Sequence, residues 1–167
     1  MPSKVLEGSG VNLDIFVHSV KHAQISGRIA KKITALKASN HNLEDIVNTI
    51  SSLDEEVRNW RDSLPPFMKW DSHGLLPDQS SLPPNVHPYH VCWQAFSYYG
   101  SLIAIHSVLV HPWNAMAFRV EPNQKQQLRR HVAHSTSVVV HASRKMVQNL
   151  RHITITASTP KWYVSSS

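Results

Sequence analysis

Leu53-Asp54-Glu55-Glu56-Val57-Arg58-Asn59-Trp60-Arg61-Asp62-Ser63-Leu64-Pro65-Pro66 ends an amphipathic segment that begins at Asn42. Apolar residues at Leu43, Ile46, Val47, Ile50, Leu53, Val57, Trp60 and Leu64 recur every three or four positions, the spacing of one helix face. Asp54, Glu55, Glu56, Arg58, Arg61 and Asp62 fill the opposite, wet face. Asn42 can cap the first turn, where Glu44 and Asp45 also favour the positive end of the helix dipole. Pro65 disfavours helical geometry at Leu64, and Pro66 extends the break. Trp60 closes the stripe and is expected to be buried against the third helix of the chain.

Upstream, the periodicity predicts a first helix from Leu13 to Ala38 with two apolar stripes. One is Phe16, Val20, Ala23, Gly27 and Ala30, and the other is Ile25, Ile29, Ile33 and Leu36. Gly27 lowers helix stability unless a partner helix needs the missing side chain, so close packing is expected there. Downstream, residues 65–88 hold Pro65, Pro66, Pro77, Pro83, Pro84 and Pro88 and read as a long loop. Phe67, Met68, Trp70, Leu75 and Leu76 are too apolar for a free linker, so its first half should pack on the domain.

A third helix is expected from His90 to Val110. Val91, Ala95, Tyr98, Leu102, Ile105 and Leu109 form one seam, which Trp93, Phe96, Tyr99 and Ile103 widen. A helix apolar on more than one side belongs at the centre of a fold. Pro112 breaks it, and Glu121-Pro122 opens a fourth helix running to about His152 along Leu128, Val132, Ser135, Val139, Ala142, Met146 and Ile153. Only Ile153-Thr154-Ile155-Thr156 alternates as a strand would. The expectation is an all-α bundle of four long helices in one domain over residues 13–163, between tails at 1–12 and 164–167.

The chain has 167 residues, the length of one domain, and 41% of them are hydrophobic. No apolar run approaches the ~20 residues of a membrane helix, and residues 1–10 lack the apolar centre of a signal peptide. The single cysteine, Cys92, cannot form an internal disulfide, and nothing has CxxC spacing. The formal charge of +6 is uneven: residues 1–38 carry six basic and two acidic groups, residues 39–90 three and eight, and residues 91–167 eight and one. Lys125, Arg129, Arg130, Arg144, Lys145 and Arg151 could attract nucleic acid, but they interleave with apolar positions, as on a solvated helix face.

His18 and His22, four apart on one helix, and His87 with His90 have the spacing of paired metal ligands, yet a third ligand would have to come from elsewhere in the fold. Ser19 stands where a zinc protease would have glutamate. Gly100-Ser101 lacks the second glycine of a nucleophile elbow, and Cys92 falls in a helix expected to be buried, where a thiol is inert. Glu44-Asp45 and Asp54-Glu55-Glu56 are adjacent surface charges, not a pair across a cleft. Trp60, Trp93, Tyr98, Tyr99 and Trp113 could line a ligand pocket, but aromatic residues at helical spacing are more often core, and they read as core. No catalytic or metal site is expected.

The run from Leu53 to Pro66 resembles the middle homology region of fungal zinc-cluster transcription factors, where a helix closes on a leucine, acids, a tryptophan and a leucine-proline step. Phe16 to Ile29, which includes His18, Gly27 and Arg28, is similar to that family's preceding helix. Tyr89-His90 opens a segment similar to its following one, ending in Val108-Leu109-Val110-His111-Pro112. Many members have arginine before that proline, and His111 does not supply the permanent charge. Val132 to Asn149 resembles the next helix. The family-motif residues are therefore Phe16, His18, Gly27, Arg28, Trp60, Leu64, Pro65, Pro66, Tyr89, His90, His111 and Pro112.

The resemblance implies a nuclear regulatory domain, acting on RNA polymerase II transcription through a small-molecule effector or protein partners, without catalysis. The family's zinc cluster needs six cysteines, so zinc and DNA binding would lie in a separate segment. The domain is then expected to be incomplete, marginally stable alone and open to self-association through apolar area around Trp93, Phe96, Tyr99 and Ile103. Two other readings stand beside this one. The first is a helical metal-binding protein or enzyme using His18, His22 and a third histidine; the second is a free-standing protein-interaction module.

Overall fold

The computed structural model describes residues 13–38, 41–70, 76–77, 79–83, 86–111 and 121–150. Its long elements are α1 (Leu13–Ala38), α2 (Leu43–Asp62), α3 (Pro88–Val110) and α4 (Lys125–Leu150), with 3-10 turns at Pro66–Met68, Gln79–Ser81 and Pro122–Gln124. No β-strand occurs among the described residues. The expected all-α architecture of four long helices is therefore observed. Leu75, Pro84, Pro112, Trp113, Arg151 and the Ile153–Thr156 alternation lie outside the described residues.

The ends of α2 follow from its sequence. The Asn42 side chain accepts a hydrogen bond from the Asp45 N–H at 2.8 Å. At the other end the Ser63 hydroxyl donates to the Trp60 carbonyl at 2.7 Å, and Lys69 Nζ donates to the Asp62 carbonyl at 2.7 Å. These bonds satisfy groups a helix end leaves without partners. α3 starts two residues earlier than the periodicity indicated. His87 caps it by accepting from the Tyr89 N–H, while His90 Nδ1 accepts from the His87 N–H at 3.1 Å and Pro88 occupies the first turn.

α3 packs on α1, α2 and α4, most extensively on α4, which makes it the central helix. Its seam of Val91, Ala95, Tyr98, Leu102, Ile105 and Leu109 is buried, and it meets Ile46, Ile50, Leu53, Val57, Trp60 and Leu64 of the α2 segment in one core. Met68 and Trp70 of the loop are also buried, so the beginning of that loop does pack on the bundle.

Three expectations are corrected. The stripe Phe16, Val20, Ala23, Gly27 and Ala30 of α1 faces solvent, with Phe16 62% exposed; only the Ile25, Ile29, Leu36 side is buried, with Ile33 partly so. A Cβ built on Gly27 meets nothing within 4 Å, so no partner helix among the described residues approaches there. Tyr99 is buried against Trp70, leaving Trp93, 42% exposed, as the open aromatic on α3. In each case periodicity gave the stripe but not the neighbour that covers it.

Candidate functional site

The residues carrying the family resemblance divide into two groups in space. Packing of α1 on α2 brings His18, Arg28 and Trp60 to one interface. The Trp60 indole N–H donates to the His18 carbonyl at 3.1 Å, and the Trp60 and His22 rings lie 4.7 Å apart. Trp60 is thus buried as expected, in one core with α3, while its hydrogen bond and its ring contact to His22 go to α1. His22 Nε2 is bonded to Ser101 Oγ of α3 at 3.0 Å, and Arg28 Nε donates to Glu56 at 2.7 Å. Leu64 is buried where α2 ends, and Pro65 begins the turn that follows.

The other motif residues lie apart. Phe16 and Gly27 are exposed, as is Pro66 in its 3-10 turn; Tyr89 and His90 belong to the α3 cap, and the His111 N–H closes the far end of α3 on the Ser107 carbonyl. Pro112 is outside the described residues.

The histidines weighed as ligands take part in helix contacts and capping, His22 through Ser101 and His87 and His90 at the start of α3. Burial lowers the pKa of His18, with Lys21 adding to the shift and Asp14 opposing it; burial also lowers that of His22. Both are held as neutral rings between helices. Among the described residues no group of three or more His, Cys, Asp or Glu is placed to hold a metal ion. Cys92 is buried, and burial pushes its thiol up to about 11, so thiolate chemistry is suppressed.

A polar constellation absent from the sequence reading joins α2, α3 and α4. His106, buried on α3, has Nε2 3.2 Å from Asp54 Oδ1 of α2 and Nδ1 3.0 Å from Ser135 Oγ of α4. Asp54 in turn accepts from Arg58 Nε at 2.6 Å and Nη2 at 3.1 Å. Burial opposes ionisation of Asp54, but the bonds from His106 and Arg58 outweigh it and hold the carboxyl at about 2.

Serine, histidine and aspartate in this order suggest a nucleophile, but Ser135 is 1% exposed and sits mid-helix. The surrounding backbone N–H groups are committed to the helix, which leaves no oxyanion donors beside Ser135 among the described residues. The constellation is a polar tie between three helices.

Beside this tie, Arg58 and Arg61 of α2, Trp70 of the loop, Tyr98 and Tyr99 of α3, and His134 and His141 of α4 enclose a cleft of about 520 Å³. Its floor is a cluster of rings: Tyr98 and Tyr99 lie 5.1 Å apart, with Trp70 at 5.4 and 5.8 Å from them. The Arg61 guanidinium lies 5.3 Å over the Trp70 ring and 5.8 Å over that of Tyr98. Tyr98 and Tyr99 were read as core from their spacing. They are buried, and both line this opening. Neither the cleft nor the tie was legible, because their residues come from three helices and a loop with no local signature.

Comparison with known proteins places the chain near fungal regulators. It is 30% identical over 105 residues, 63% of its length, to an ABC-transporter-regulating transcription factor of Aspergillus oryzae. Over 98 residues, 59% of its length, it is likewise 30% identical to a protein of the same name from Aspergillus fumigatus. The chain spans only 11% and 10% of the lengths of these two relatives. It matches no family profile and no solved structure. The similarity to two proteins so named links this helical chain to fungal transcription factors.

Proposed function

We propose that the chain is an all-helical regulatory segment of a fungal transcription factor, resembling the middle homology region. It controls transcription by RNA polymerase II through an effector or a partner protein, without catalysis. The observation that carries this reading is the similarity to the two Aspergillus regulators. Of the motif residues, His18, Arg28 and Trp60 tie α1 to α2.

In this reading DNA is contacted by a separate zinc-cluster segment with its own six cysteines, and the chain works in the nucleus. The name of the relatives makes genes for ABC transporters the first targets to examine. The test is a reporter assay with the full chain fused to an unrelated DNA-binding domain in a fungal host. The fusion should enter the nucleus and change transcription from the reporter relative to the DNA-binding domain alone. A nuclear, folded fusion with no effect on the reporter, with or without candidate effectors, would refute the proposal.

A further inference from the structure

We infer that the cleft between α2, α3 and α4 binds a small organic anion, a carboxylate on a flat apolar body. The lining divides into an apolar floor and a basic rim. The apolar part holds Leu102, Val138 and the margins of Trp70, Tyr98 and Tyr99, rings that are buried and packed on one another. The rim carries Arg58 and Arg61 of α2 and His134 and His141 of α4, and no lining residue among the described ones bears a carboxylate. At about 520 Å³ the opening is within the usual size of small-molecule sites.

The two arginines are not equivalent. Arg58 is engaged twice by Asp54, which is ionised and itself bonded to His106, so its guanidinium is already neutralised. Among the described residues Arg61 is paired with its sequence neighbour Asp62, at 3.3 Å, and that carboxylate is 67% exposed, which makes it a weak competitor. Stacking over Trp70 and Tyr98 fixes the plane of the Arg61 guanidinium at the mouth of the cleft. A guanidinium held in this way is suited to a carboxylate, which it can grip with two parallel hydrogen bonds. The apolar body of the ligand would then lie against Leu102, Val138 and the margin of the ring cluster. As the effector site of the regulator proposed above, the cleft rests on that reading; as a binding site it rests on geometry alone.

The test is titration of the full chain with 2-naphthoic acid, followed by calorimetry and by the fluorescence of Trp70 among the five tryptophans. Naphthoate should bind saturably, one per chain. The neutral isostere 2-naphthalenemethanol should bind at least about tenfold more weakly, because the charge-assisted bonds are lost. Arg61→Gln should weaken naphthoate by about tenfold without shifting the melting temperature, and the exposed His141→Gln should weaken it less. Arg144→Gln, on the same helix but outside the cleft, should change nothing.

Equal affinity for acid and alcohol, unaltered binding in Arg61→Gln, or no saturable binding at millimolar naphthoate would overturn the inference. So would a tetraglutamate peptide that binds as tightly as naphthoate, since the site would then be a plain anion patch. None of these readouts involves transcription, so their failure is distinct from failure of the regulatory reading.

Discussion

Asp54 and the pair His18 and His22 respond to acid in different pH ranges. The folded pKa of Asp54, about 2, lies below its ordinary 3.8, so its contribution to stability is complete above about 4 and is lost as pH falls toward 2. His18 and His22 are also lowered, from 6.5, chiefly by burial. Their contribution is present above 6.5 and is lost as pH falls below it, because the unfolded chain takes up protons that the folded rings refuse. The melting temperature should therefore fall in two stages on acidification. His18→Gln with His22→Gln should flatten the first stage, and Asp54→Asn should remove the second; unchanged profiles would contradict these assignments. Trp60→Ala should cost about 3–5 kcal/mol in denaturant unfolding, whereas Trp60→Phe, which keeps the ring and loses the bond to the His18 carbonyl, should cost about 1 kcal/mol for that bond.

At the scale of the element, α1 separates what periodicity can and cannot tell. A stripe of apolar residues says that a helix can be covered, and only the tertiary arrangement says whether it is. The Ile25, Ile29, Leu36 face found partners, while the Phe16, Val20, Gly27 face did not. Gly27 thus keeps the entropic cost of glycine without any gain from close approach. Gly27→Ala should raise stability by about 0.5–1 kcal/mol, measured by thermal or denaturant unfolding. A loss of stability would mean that a helix does cover this face. α2 was legible almost to the residue because Asn42 and Pro65 are local signals, whereas the His87 cap that starts α3 two residues early was not. The Asp54–His106–Ser135 tie and the Arg61–Trp70 stack were not, since each joins positions far apart in sequence.

For the whole molecule, the uneven charge does not by itself make a DNA-binding protein. Lys125, Arg129, Arg130 and Arg144 are exposed on α4, but they are spread along a helix whose other side packs on α3. DNA binding by the chain should be weak, indifferent to sequence and abolished by added salt. Nanomolar, sequence-dependent binding at physiological salt would contradict this. The fold class followed from hydrophobic period and breakers alone, whereas the regulatory role rests on resemblance, because helices that only pack carry no chemical signature. The most direct test of that role is nascent RNA sequencing within minutes of acutely depleting the protein in its source organism. The account predicts a prompt change in a restricted set of RNA polymerase II transcripts, with genes for ABC transporters among them. An unchanged transcript profile after complete depletion would contradict it.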